Sequence, residues 1–260
     1  MSMHAYADLL YVFDGGKAAV NDISQWSPGI NVGKPMTFSN HAYLIKHGSD
    51  WLLWDTGLDD RMIDIPGGEV VAHDVRGIVT KTLASQLEEI GIRPDDVTVM
   101  IFSHAHFDHV GNSRLFKRAR WIVQRREHAA MFGPDTGHYG FIPELYADMR
   151  HHPVHLIEGD QDVFGDGSVT VISTPGHTPG HQSLMVKLKK AGTIILSGDV
   201  AHFGANFCCR RVPTFNADHE ASHRSMERIE ALVKSQDAQL WINHDPEQSL
   251  TIAHAPTWHE

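Results

Sequence analysis

The stretch Ser103-His104-Ala105-His106-Phe107-Asp108-His109-Val110-Gly111-Asn112 places three histidines and one aspartate within six residues. It follows directly on the apolar run Val97-Thr98-Val99-Met100-Ile101-Phe102. A run of that length, rich in β-branched residues, predicts a buried strand. The imidazoles and the carboxylate then stand where a strand ends, and short side chains of one segment can converge there on a single point. Imidazole nitrogens and a hard oxygen form a ligand set that divalent zinc accepts. Six residues cannot close two metal sites, so further ligands have to come from elsewhere in the chain.

Composition narrows the partners. With 260 residues the chain is long enough for one large domain or two small ones, and 42% hydrophobic and 21% charged residues describe an ordinary globular protein. A formal net charge of −10 argues against a general binder of phosphate backbones. Twenty histidines raise the expectation of a metal site, since imidazole is the commonest metal ligand. Cys208 and Cys209 are adjacent and match no Cys-x-x-Cys zinc spacing; they are read as free thiols in a reducing compartment. Met1 to Asp8 lacks the basic and apolar regions of a signal peptide, and no run approaches a membrane span, so the expected location is the cytoplasm with no membrane partner.

The chain in order predicts a strand over 9–13 ended by Asp14-Gly15-Gly16, and then an extended arm or loop over 14–35 containing Trp26. Strands over 37–46 and 51–54 follow, the second ending at Asp55, and then an irregular stretch over 58–76. Val79, Leu83, Leu87 and Ile90 recur at helical spacing before Gly91. After the strand over 97–102, helices are expected over 112–117, 127–131 and 143–149, with a short strand over 121–123. The second half reads as strands over 154–157, 169–172, 182–188 and 193–196, a helix over 217–233 with Asn216 as its N-cap, and a last strand over 239–242. Two halves of strands followed by helix predict an α/β (α+β) fold, two packed sheets with helices outside, as a four-layer αββα sandwich in one domain over 1–260.

Three later segments repeat the first arrangement of apolar run, turn, and then His or Asp. The strand over 169–172 leads into Ser173-Thr174-Pro175-Gly176-His177-Thr178-Pro179-Gly180-His181, where proline and glycine make a tight turn. The strand over 193–196 leads into Ser197-Gly198-Asp199, and that over 239–242 into Asn243-His244-Asp245-Pro246. His104, His106, Asp108, His109, His177, Asp199 and His244 are too many ligands for one tetrahedral ion and suit two metals sharing a carboxylate, for which Asp199 has two oxygens to offer. His181 competes with His177 but is expected to face the next strand, and Asp55 is a candidate to orient a ligand histidine from behind.

This ordered set resembles the metallo-β-lactamase superfamily, and Ser-His-x-His-Phe-Asp-His-x-Gly-Asn resembles its N-acyl homoserine lactonases. The resemblance covers Leu44 through His244. It implies the metallo-β-lactamase fold, one metal on His104, His106 and His177, another on Asp108, His109 and His244, and Asp199 with a hydroxide bridging them. The family places a tyrosine three residues after the bridging aspartate; here that position is His202, an imidazole that can still donate a hydrogen bond to an oxyanion.

The implied activity is ring opening of N-acyl homoserine lactones by a metal-bridging hydroxide. Asp108 would be the proton donor to the leaving group, His202 a catalytic helper and substrate contact, and Phe107 and Trp26 walls for the acyl chain. The cofactors expected are two divalent ions, zinc first, with cobalt, manganese or iron as alternatives. The partner is a small acyl lactone, with no nucleic acid and with a homodimer left open. The alternative activity is another hydrolase on the same scaffold: a thioesterase, an organophosphate hydrolase, or another esterase or lactonase. A redox protein using iron in the same pocket would resemble the flavodiiron relatives, which carry Glu at the position of His106.

Overall fold

A computed structural model describes residues 6–72 and 74–260; His4 and His73, taken as surface or structural histidines, lie outside them. Alternating burial writes the sheets. In β3 (Asp50–Trp54), Leu52 and Trp54 face one way and Leu53 the other, and all three are fully buried. A strand apolar on both faces needs cover on both. Leu52 and Trp54 meet a second sheet through Val171, Leu184, Val186 and Leu196. Leu53 joins Leu83, Leu87 and Met131 of the helical layer behind. On the far side, Ile172, Met185 and Ile195 pack against Met226 and Ile229 of another helix. These contacts are the four layers αββα.

The first sheet contains β1 (Leu9–Val20), β2 (Met36–His47), β3, β4 (Glu69–Ala72), β5 (Val75–Ile78), β6 (Val99–Ile101), β7 (Arg120–Gln124) and β8 (Val154–Ile157). Their spatial order is β4-β5-β1-β2-β3-β6-β7-β8. The second sheet contains β9 (Gln161–Asp162), β10 (Val169–Ser173), β11 (Gln182–Leu188), β12 (Gly192–Leu196) and β13 (Gln239–Trp241), in the order β13-β12-β11-β10-β9. β14 (Trp258–His259) pairs with β1. The helices are α1 (Leu83–Glu89), α2 (Phe107–Val110), α3 (Arg125–Phe132), α4 (Gly204–Cys209), α5 (His219–Ser235) and α6 (Pro246–Ser249). None of them, among the described residues, is long and apolar enough to cross a membrane.

Register decides where the chemistry collects. β3 and β6 run parallel with Trp54 beside Ile101, and β12 and β13 run parallel with Leu196 beside Trp241. β10 and β12 both run antiparallel to β11, so the end of β10 and the end of β12 lie at the same rim. Asp55, the 103–109 segment, the 174–181 turn, Asp199 and His244 all leave strands at that rim.

Several expected boundaries move. β1 does not stop at Asp14-Gly15-Gly16 but continues to Val20, with its register shifted between Asp14 and Lys17. The glycines form a bulge, and the backbone there is pressed so close to the next loop that a Cβ on Gly57 would stand 2.7 Å from the Gly15 Cα. Residues 14–20 therefore belong to a strand, and the loop is confined to 21–35. The stretch over 58–76 holds a 3-10 turn (Asp60–Asp64) and the β4–β5 hairpin. The helices expected over 112–117 and 143–149 are 3-10 turns, Ser113–Leu115, Pro143–Leu145 and Ala147–His151. The N-cap of α5 is Asp218, whose Oδ1 accepts from the Ala221 N–H at 2.8 Å; Asn216 is used elsewhere.

Candidate metal centre

The rim loops gather all seven sequence-predicted ligands. The ligand atoms of His104, His106, His177 and Asp199 lie within 4.8 Å of one another, as do those of Asp108, His109 and His244. Asp199 faces both groups. Its Oδ2 is 3.2 Å from His177 Nε2 and 3.7 Å from His104 Nε2, while its Oδ1 is 3.4 Å from His109 Nε2 and 3.2 Å from His244 Nε2.

The outer nitrogens of the histidines set the tautomers. His106 Nε2 donates to Tyr139 O at 2.8 Å, His177 Nδ1 to Asn216 Oδ1 at 2.9 Å, and His244 Nδ1 to Ser39 O at 2.8 Å. His109 Nδ1 donates to Asp55 Oδ2 at 2.9 Å. Ser103 Oγ gives its proton to the same Asp55 oxygen and accepts from His104 Nδ1 at 3.0 Å. With each outer nitrogen donating, the inner nitrogens present bare lone pairs. His104 Nε2 and His177 Nε2 stand 2.8 and 3.0 Å from His106 Nδ1, and His244 Nε2 stands 3.3 Å from His109 Nε2. Lone pairs at these distances repel unless a cation lies between them. The buried Asp199 Oδ1 likewise has no hydrogen-bond donor among the described residues. The donor set thus fits divalent metal ions, with the outer partners orienting the ligands as metal sites require.

The electrostatics agree. Burial and the neighbouring imidazoles hold His104 and His106 well below the ordinary histidine value, so both stay neutral. Burial also works against a charge on His109, but Asp199, Asp55 and Asp108 outweigh it and raise that group to about 10. Without a metal the carboxylates therefore hold a proton on His109 Nε2, and a metal ion drawn to the same place would displace it and leave that lone pair as a ligand. Burial opposes a charged Asp199, yet His244 and His109, both raised, keep it ionised well below the usual range.

Two other histidines complete the floor. His181 is no ligand: its Nδ1 faces Thr174 O at 2.9 Å and its Nε2 accepts from the Asp199 N–H at 2.8 Å, so it props the Asp199 turn rather than facing the next strand. His202 turns its Nε2 to Asp199 Oδ2 at 3.1 Å, and its Nδ1 is buried without a hydrogen-bond partner among the described residues. Burial holds its ring down to about 4. The pocket above the ligands is lined by Trp26, Phe38, Phe107, Phe215, Ala18 and Val75 together with Asp108, Asp199 and His202. Trp26 is wedged between Phe38 and Phe215, at ring separations of 5.2 and 5.4 Å.

Sequence reasoning did not find the partners Asn216, Ser39 and Tyr139. Two of them act through backbone carbonyls, which carry no residue signature, and Asn216 precedes a helix and so resembles a cap.

Residues 36–234 match the family described as the metallo-β-lactamase superfamily. An N-acyl homoserine lactonase of Bacillus thuringiensis is 30% identical over 254 residues, which is 96% of this chain and 98% of that protein. N-acyl homoserine lactonase AttM of Azorhizobium caulinodans is 33% identical over 180 residues, 68% of each. Among solved structures, an N-acyl homoserine lactone hydrolase with the product N-hexanoyl-L-homoserine bound at its catalytic metal center superposes with a TM-score of 0.86. It is 28% identical, with 98% of this chain and 100% of that one covered. The chain belongs to the metallo-β-lactamase superfamily and, within it, to the family of the N-acyl homoserine lactonases.

Proposed function

We propose that this chain is a single catalytic domain over residues 1–260 that opens the lactone ring of N-acyl homoserine lactones with two divalent ions, zinc foremost. The observation that carries the reading is Asp199, which offers one oxygen to each of two ligand groups at the floor of an aromatic-walled pocket. Two ions held there would lower the pKa of a water to about 7 and supply hydroxide at neutral pH.

The chain's own groups do the rest. His104, His106 and His177 would hold one ion and Asp108, His109 and His244 the other, with Asp199 offering one carboxylate oxygen to each group. Water adds to the ring carbonyl and the C–O bond of the ring breaks; Asp108, which lines the pocket, would take the proton that the attacking water gives up and hand it to the leaving alkoxide, so that a hydroxy acid results. His202 occupies the place where the family has tyrosine. Its Nε2–H points at Asp199 and a second ring proton is disfavoured by burial, so we assign it to holding the bridging carboxylate and lining the substrate pocket rather than to donating to an oxyanion. Phe107 and Trp26 bound the acyl chain, and exclusion of water there favours an apolar tail. The reading also places the protein in the cytoplasm, where the adjacent thiols Cys208 and Cys209 stay reduced.

The test is pH-stat titration of lactones, thioesters, phosphotriesters and β-lactams with the metal-loaded protein. One acid released per lactone, with the other classes cleaved far more slowly, is the expected result. Intact lactones alongside rapid cleavage of thioesters or phosphotriesters would assign the protein to another hydrolase on this scaffold.

A further inference from the structure

Glu127 belongs to no ligand group, yet its side chain is among the most enclosed charges in the molecule, 2% exposed and without an ion pair among the described residues. It sits in the first turn of α3 and points between two rim loops. Oε1 accepts from the Ala105 N–H at 3.0 Å and from Thr178 Oγ1 at 3.0 Å. Oε2 accepts from Thr178 Oγ1 at 2.8 Å and from the Gly180 N–H at 2.8 Å. Ala105 lies between His104 and His106, and Thr178 follows His177. One carboxylate therefore grips both segments that supply imidazoles to the first ligand group. The fit is close: a Cβ on Gly180 would stand 2.6 Å from Glu127 Cβ.

We propose that Glu127 is a positioning residue that sets the spacing of the His104–His106 segment and the His177 turn, and so the affinity of the metal ion held by those three histidines. The inference rests on the dinuclear reading above. The other group takes its support elsewhere, His109 from Asp55 and His244 from the Ser39 carbonyl, and makes no hydrogen bond to Glu127. A buried carboxylate without a cation persists only if its oxygens are satisfied by donors, and here every donor comes from the two loops. Burial pushes the carboxyl up to about 7, while Thr178, Gly180 and Ala105 pull the other way. In Glu127→Gln the shape is kept, but whichever way the amide turns its NH2 must face the N–H of Ala105 or of Gly180, neither of which can accept, and this releases one loop.

The experiment removes metal and titrates zinc back against a chromophoric chelator, while the imidazole nitrogen signals report which group holds each ion. The wild type is expected to take two ions. Glu127→Gln should weaken the His104/His106/His177 ion by about 10- to 100-fold, the usual effect of losing an outer partner, and leave the other ion unchanged. Thr178→Val, which keeps the carboxylate and removes only one hydroxyl, should weaken the same ion and covers the case in which Glu127→Gln does not fold. Unchanged affinity at that ion in either folded variant, or equal weakening of both ions, would overturn the proposal. A wild type that binds a single ion would end the dinuclear reading instead, and the variants would then judge Glu127 on that ion alone.

Discussion

Asp199 shows how one residue couples two groups. Each of its oxygens faces a different set of bare imidazole nitrogens, and a carboxamide would keep the shape but lose the charge and one acceptor. Asp199→Asn is expected to lose most lactone hydrolysis and to bind less metal, read by pH-stat and by metal analysis of the same preparation. Asp55 acts one bond further out. It is fully buried and accepts from His109 Nδ1, Ser103 Oγ and the Ser103 N–H, so it fixes two ligand tautomers at once. Asp55→Asn should cost about 10- to 100-fold in affinity for the Asp108/His109/His244 ion, measured by chelator competition. An Asp55 variant with wild-type metal affinity would mean that the imidazoles are oriented by packing alone.

Among the elements, α4 and the 21–35 loop act as a pair. Asn206 in α4 is fully buried, and its Nδ2 donates to Trp26 O at 2.9 Å and to Ser27 Oγ at 2.8 Å. The loop that carries the pocket tryptophan is thus anchored by a helix nearly two hundred residues further along the chain. Asn206→Ala removes both bonds and strands their partners, a loss of about 1–3 kcal/mol if they stay dry. The expected outcome is a higher KM for long-chain lactones than for short ones, with kcat and bound metal near wild type. Equal effects on short and long chains would separate Trp26 from the acyl tail. The same scale shows where sequence patterns mislead. Gly15 and Gly16 read as the end of a strand because glycine usually breaks one, but a bulge lets β1 run on. Asn216 reads as a cap because it precedes a helix, yet its side chain is spent on His177 and Asp218 takes over the cap.

For the whole molecule, metal held at the proposed centre would be coupled to the packing of the two sheets. Ligands from both sheets meet at one rim, so ions that bind only the folded chain raise its stability by mass action. Saturating metal about a hundredfold above its dissociation constant adds about 2.7 kcal/mol, so strong chelation should lower the unfolding midpoint by roughly 5–10 °C. A midpoint indifferent to chelator would mean that the loops are rigid without ions. Acid acts through buried histidines. His41 is held down to about 3 by burial, helped by His254 and His244, against an ordinary value of 6.5. A group whose folded value is depressed contributes its stability fully above the unfolded value and loses it as pH falls towards the folded one. The window is therefore about 6.5 to about 3, with at most about 1.4 kcal/mol per pH unit from this residue. Unfolding of metal-free protein followed against pH should show that slope, and His41→Phe should reduce it.

The residue types, their order and their position directly after apolar runs were enough to indicate the side chains that the fold brings together as candidate ligands, the strands they leave and the layered fold. Periodicity and ligand chemistry are local properties, written in neighbouring residues such as His104 to His109 behind Val97 to Phe102. Only the tertiary structure decided which nitrogen of each imidazole turns inward, that His181 lies beneath Asp199 rather than among the ligands, and that Glu127 joins two loops. Those outcomes depend on backbone carbonyls and on partners tens of residues away, and a hydrogen bond across such a distance leaves no pattern in the chain until the sheets bring its ends together.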